Sequence, residues 1–304
     1  MRECQNSISL IGRVKSKTVK RGAIEGVPTI SIDLVVQSKK DETKINETKV
    51  SFFAKNSSKL YAGYETLANE LRTDAEHGTG ERVRVTGSIT MNEFMSQTGE
   101  FISRNKVRGI FCNRLPETDT TPDTAGLVIE CIITAMVDEM KDGRLTGRKN
   151  IQALSVGYGD SIIELKDLIV GEDLAKQFAQ IYSVGTTGKL FVEMNNYALV
   201  GESTIKQQVQ AGFGQTLAVM PDVVKEYVNN LQIVGGDMPN VATNYSAQDI
   251  QEIQRLRNVA IQKAMSTQPK TQNQSQAPNG FGAGFGSTTS MGDFAPLSDS
   301  EMPF

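Results

Sequence analysis

The order of apolar patterns restricts the fold of this chain more than any other feature. Between residues 6 and 115 apolar side chains alternate with polar ones, first at Ile8, Leu10 and, after Gly12, Val14. The alternation continues at Ile30, Ile32 and Leu34 in PTISIDLVVQ and again in KVSFFAK. Period-two apolarity with β-branched and aromatic residues marks strands that bury one face. The period then changes. Leu60, Tyr64, Leu67 and Leu71 recur at three- and four-residue spacing and predict a short helix between Ser57 and Leu71. Alternation returns in ERVRVTGSITMNEF and EFISRNKVRGIFC, joined by SQTG. Three strands, a helix and two strands is the order of a five-stranded Greek-key barrel of the OB type, which encloses a small core of its own.

Residues 116–126, PETDTTPDTAG, contain two prolines, four threonines and little apolar content, and read as a linker between domains. The same order then repeats. GLVIECIITAMV, GRKNIQALSVGYG and SIIELKDLIV give three strands, EDLAKQFAQIYS the helix and GKLFVEMNNYALVG the fourth strand. After an insertion containing GFGQTLAVMP, VKEYVNNLQIVGG gives the fifth. The repeat lies in element order, not in residue identity. The expected fold is therefore mainly β: two tandem OB barrels, residues 1–115 and 127–240, followed by an amphipathic helix at 246–265 and a disordered tail at 266–304. Ser246 with Asp249 three residues later fits a capping box, and Ile250, Ile253, Leu256 and Ala260 form the apolar stripe. In the tail, 17 of the 33 residues from Ser266 to Ser298 are Pro, Gly, Ser or Gln, a composition that builds no core.

The composition excludes several classes of function. A single His (His77) leaves no His-based metal cluster and no Ser-His-Asp triad. Cys4, Cys112 and Cys131 are far apart and form no CxxC pair, so neither a disulfide framework nor structural zinc is expected, and a reducing compartment is. MRECQNSISLIGR lacks the apolar run of a signal peptide, and no segment approaches the roughly 18 apolar residues of a membrane span. The glycines of GFGAGFG follow no strand and open no helix, unlike a phosphate loop. Glu117, Asp119 and Asp123 read as solvating charges of the linker. The expectation is a non-enzymatic, cofactor-free protein of the cytoplasm.

Charge points the other way, toward a partner. The net charge is −3, yet residues 1–115 hold 19 basic and 13 acidic side chains and the remainder 13 and 22. A basic front half on an acidic rear fits a nucleic-acid binder with a partner-facing tail. In the front half the cations alternate with aromatics. Arg13, Lys15, Lys17, Lys20 and Arg21 lie on the first strand and its loop. Lys49, Phe52, Phe53 and Lys55 lie on the third, and Arg82, Arg84, Phe94, Arg104, Lys106 and Arg108 on the last hairpin. Single-stranded DNA asks for cations at its phosphates and flat faces for unstacked bases. Phe52 and Phe53 are adjacent, so they point to opposite sides of a strand and one faces away from the core. Phe94, Tyr61 and Tyr64 are weaker stacking candidates. The second barrel offers Arg144, Arg148 and Lys149 at its first hairpin but is otherwise acidic. Its aromatics Tyr158, Phe178, Tyr182, Phe191 and Tyr197 read mostly as core or helix packing, and scaffolding and DNA binding remain equally open for it.

The chain resembles bacterial-type single-stranded DNA-binding proteins, as a phage-encoded or otherwise divergent member. NSISLIGRV is similar to that family's opening strand, TKVSFFAK to its third and ERVRVTGSI to its fourth. SEMPF is similar to its acidic tip, with Asp299, Glu301, Met302, Pro303 and Phe304 as the partner-binding residues. The resemblance implies sequence-independent binding of single-stranded DNA and docking of the tip onto replication, recombination and repair enzymes in a bacterial or phage-infected cell. Three features depart from the pattern. Thr48-Lys49 stands where the family commonly has a stacking Trp, the tip is less acidic than usual, and a second barrel is unusual beside the one-barrel, homotetrameric members, so that either a homo-oligomer such as a dimer or a monomer would offer a similar number of barrels. Two rival readings stay open: an OB scaffold that binds only protein, and an RNA-binding chaperone.

Overall fold

The computed structural model describes residues 1–202, 223–239 and 241–266. The insertion containing GFGQTLAVMP, the tail beyond Ser266 and its tip lie outside the described residues. The first half forms β1 (Asn6–Ile24), β2 (Val27–Lys39), β3 (Ile45–Lys55), helix α1 (Tyr61–Glu70), a one-turn helix α2 (Asp74–His77), β4 (Arg82–Met95) and β5 (Phe101–Arg114). The second forms β6 (Thr124–Lys141), β7 (Arg144–Val156), β8 (Ile162–Val170), α3 (Glu172–Ile181), β9 (Thr187–Glu202) and β10 (Val223–Gly236), and α4 (Ala247–Ser266) follows. None of the described helices is long and apolar enough to cross a membrane.

Each half closes into an OB barrel. In the first, β1 pairs β2, β2 pairs β3, β3 runs parallel to β5, β5 pairs β4 and β4 returns to β1. In the second, β6, β7, β8, β10 and β9 close in the same way. Closure consumes the sheet edges, which would otherwise invite pairing with other chains. The first hairpin of each barrel turns on two residues with positive φ, Glu25-Gly26 and Asp142-Gly143, the conformation that matches strand twist in a two-residue turn.

The alternation seen in the sequence fills the barrels. Ile8, Leu10, Val14, Ile30, Ile32 and Leu34 are all fully buried. Tyr64 and Leu67 on α1, with Leu71 just beyond it, plug the end of barrel 1. Phe52 lies edge-on to Tyr64, with ring centroids 5.4 Å apart. Gly109 is required beside it, because a Cβ there would lie 2.3 Å from the Phe52 ring.

The barrels are joined as equivalents. Ile8 sits opposite Gly87 of β4, and Leu127 opposite Val192 of β9. Gly87 and Val192 each stand at the register shift of their own hairpin, so Ile8 and Leu127 are matching positions. Across the junction Ile8 pairs with Leu127, antiparallel. An antiparallel pairing that joins a position to its own match relates the barrels by an approximate two-fold, the isologous arrangement of a dimer within one chain.

The linker carboxylates do not merely solvate. Arg13 pairs with Glu117 at 2.7 Å, and Arg82 donates to Asp119 O, Thr121 O and the Asp123 carboxylate at 2.5–2.9 Å. The segment is thus strapped to barrel 1 by cations whose partners lie far away in sequence. The capping box of α4 forms as expected, Ser246 N donating to Asp249 at 3.0 Å and Asp249 N to Ser246 Oγ at 3.1 Å. Ile253 is fully buried, but Ala260 is exposed, because the covered stripe drifts from Ile253 to Arg257, Ile261 and Ala264. Buried Arg257 donates to Glu93 of β4 at 2.5 and 2.7 Å and to Glu164 of β8 at 3.0 and 3.1 Å, bridging the two barrels.

Candidate nucleic-acid interface

The outer surface of barrel 1 follows from strand register. Lys20 stands opposite Ser31, and Ser31 opposite Phe53. Ser51 stands opposite Arg108 of β5, Arg108 opposite Ser88 and Lys106 opposite Thr90 of β4. Residues two apart on a strand share a face and neighbouring strands lie about 4.8 Å apart. Lys20, Phe53, Lys55, Lys106, Arg108 and Ile110 therefore occupy one continuous outward surface over β1, β2, β3 and β5. Phe53 is 41% exposed at its centre. Lys20, Lys55 and Arg108 are exposed and Lys106 half-buried. None of these four cations, nor Arg84 on β4, makes an ion pair among the described residues.

Phe52 points inward and is fully buried, so it belongs to the core and offers no face to a base. Tyr64 is likewise buried, its hydroxyl donating to Ile110 O at 3.0 Å. Other expected cations are held by the fold itself. Lys17 and Arg21 share the inward side of β1 with Val19, opposite Leu34 and Ile30. They sit at the barrel end, where Lys17 donates to Leu71 O at 2.7 Å and Arg21 grips Glu65 and Asn69 at 2.7 and 3.1 Å. Arg21 holds the Glu65 carboxyl below the usual carboxylate range by hydrogen bonding. Lys15 pairs with Glu47 at 2.6 Å. Arg13 and Arg82 hold the linker, and the Arg82 side chain is only 11% exposed.

Intermediate cases lie around the central patch. Lys49 is 3.9 Å from Asp33, which also accepts from Ser51. Arg104 stands opposite Asn92 and Phe94 opposite Ile102 on the β4–β5 arm, Phe94 being 40% exposed. Tyr61 packs against the core beside Glu65. Sequence reasoning passed over Ile110 and Phe111, 38% and 55% exposed. The register shift opposite Thr86 and Gly87 brings consecutive residues out of strict alternation here, and Gly87 with Gly109 was the signal. In barrel 2, Tyr158 is 87% and Tyr227 72% exposed, so Tyr158 is not core packing.

A family model described as YorF matches residues 5–267. No curated protein matches. Among solved structures, the wild-type single-stranded DNA binding protein from Thermus aquaticus is 11% identical with a TM-score of 0.50, covering 82% of this chain and 99% of that one. A deletion mutant of it is also 11% identical with a TM-score of 0.48, covering 82% and 100%. A mitochondrial single-stranded DNA binding protein from S. cerevisiae is 16% identical over 36% of this chain and 93% of its own, with a TM-score of 0.26.

Proposed function

The chain belongs to the YorF family, and we propose that it binds single-stranded DNA, without reading its sequence, on the outer face of barrel 1. The carrying observation is Phe53, exposed on a closed barrel and flanked by Lys20, Lys55, Lys106 and Arg108. This ring keeps apolar surface in water and lies outside the barrel core. A base stacked on it contributes about 1–3 kcal/mol whatever its identity. The surrounding cations release counterions as they meet phosphates. Duplex DNA keeps its base faces stacked inside, so it gains only the phosphate contacts. Phe94 and Arg104 extend the same surface along the β4–β5 arm. No step of bond making is involved, and the role is to hold and protect the strand.

The reading of the tip rests on sequence. Asp299, Glu301, Met302, Pro303 and Phe304 recruit replication, recombination and repair enzymes, an apolar end with an acidic approach fitting a pocket with a basic rim. The test is fluorescence polarisation of labelled oligo-dT, a matched duplex and oligo-U with full-length protein at low salt. Tight binding of oligo-dT over duplex supports the reading. Absence of binding at micromolar protein transfers support to a protein scaffold, and equal binding of oligo-U to an RNA chaperone.

A further inference from the structure

The two-fold relation allows the barrels to be compared position by position on the face assigned to DNA. Val50 opposite Val107 in barrel 1 matches Leu168 opposite Leu231 in barrel 2, all four buried. Lys49 then matches Asp167, Ser51 matches Ile169, Phe53 matches Gly171, Lys106 matches Asn230 and Arg108 matches Gln232. The cations have become an acid and two amides, and the stacking ring has no side chain at all. Gly171 is also the residue before α3, whose first turn brings the exposed carboxylates Glu172 and Asp173. A Cβ at Gly171 would lie 2.6 Å from Asp173 Oδ1.

The amides serve the protein. Asn195, only 2% exposed, donates its Nδ2 protons to Asn230 Oδ1 and Gln232 Oε1, both at 3.1 Å. Lys40 reaches this face from barrel 1, but Glu193 holds it at 2.7 Å. A further stretch of the outer surface of barrel 2 is covered, because α4 seats Ile253 on Ile132, Leu154, Val156 and Ile162.

We infer that a bound single strand occupies one barrel face per chain: barrel 1 takes DNA, and barrel 2 is a closed platform that carries α4 and, through it, the tail. The inference rests on the DNA-binding reading above and divides it between the barrels. Each amide can be converted to the carboxylate of the same shape, which still accepts from Asn195 while adding a negative charge. The experiment titrates oligo-dT over a salt series with full-length protein, with the variant N230D/Q232E and with K106Q/R108Q, thermal unfolding confirming that all three fold.

Loss of two phosphate contacts in K106Q/R108Q should lower the slope of log K against log salt by about 1.4. N230D/Q232E should keep the wild-type slope and an affinity within about twofold, as expected of screened charges off the path. Wild-type binding with a loss of about tenfold or more in N230D/Q232E would overturn the inference and leave the DNA-binding reading standing. Failure of the wild type to bind would remove that reading and this one with it.

Discussion

Replacing Arg257 by Leu removes the cation that bridges two carboxylates from different barrels, leaving Lys166 on Glu164. Glu93 is 9% exposed and Glu164 31% exposed at their side chains, while Arg257 is 6% exposed. Burial pushes both carboxyls up, but hydrogen bonds from Arg257 and Ser103 to Glu93, and from Lys166 and then Arg257 to Glu164, hold both below the ordinary value of 4.5. Breaking a buried pair from one side costs about 3–5 kcal/mol where the remaining charge is left without a partner, as Glu93 is, while Glu164 keeps Lys166 at 2.5 Å. Water reaches Glu164, which places this case at the lower end, about 3 kcal/mol, and lowers the midpoint of thermal unfolding by roughly 6–12 °C for a body of this size.

The pH dependence gives a second reading of the same contact. A carboxyl whose folded pKa is depressed contributes stability that is fully present above its unfolded pKa and disappears as pH falls through the folded one. The wild type should therefore lose stability below about pH 4.5, through the lowered values, while R257L, which keeps only the share from Lys166 and Ser103, has less to lose. Calorimetric scans at neutral pH and at successively lower pH should show the gap between the two proteins closing. Equal midpoints at neutral pH, or a gap that widens in acid, would refute the clamp as a source of stability.

Phe53→Ala should weaken oligo-dT binding by about 1–3 kcal/mol, roughly 5- to 150-fold by polarisation, with little change in unfolding because the ring lies on the outer face and outside the barrel core. Gly109→Ala should destabilise the fold by about 1–3 kcal/mol in urea titration, since its new methyl meets the Phe52 ring at 2.3 Å. Arg82→Ala releases the strap on Asp119, Thr121 and Asp123, and limited proteolysis should then cut the linker faster than in the wild type. Deleting the last seven residues should leave single-stranded DNA affinity unchanged or higher and abolish capture of partner enzymes. Lower affinity would count against a tip that serves partners and stays off the DNA-binding face.

The barrel order was legible because burial imposes a period of two on strands and 3.6 on helices, and both periods survive in the one-dimensional pattern. Ile30, Ile32 and Leu34 show it directly. The same alternation makes one of Phe52 and Phe53 an inward ring and the other an outward one, without fixing which. What remained hidden depended on long-range partners. Arg82 looks like any strand cation until the linker 37 residues on folds back over it. Arg257 sits 164 residues from Glu93 and 93 from Glu164, so an arginine inside an apolar stripe gave no hint of a bridge. Lys17 and Arg21 look in the sequence like cations offered to phosphates, because their neighbours alternate as on any strand with one face to solvent. Their strand simply outruns the core, and their inward side meets the backbone end and polar side of α1. The depletion of barrel 2 was also out of reach, since Gly171 and Phe53 become comparable only once pairing register fixes which positions correspond.

The account turns on Phe53 and can be tested at that residue. Full-length protein would be irradiated with oligo-dT carrying 5-iododeoxyuridine, and the adducts located by mass spectrometry of peptides. The principal crosslink is expected on Phe53, with a second population on Phe94 and loss of the first in Phe53→Ala. A principal crosslink on Tyr227 or Tyr158 of barrel 2, with Phe53 unmodified, would contradict the placement of single-stranded DNA on barrel 1.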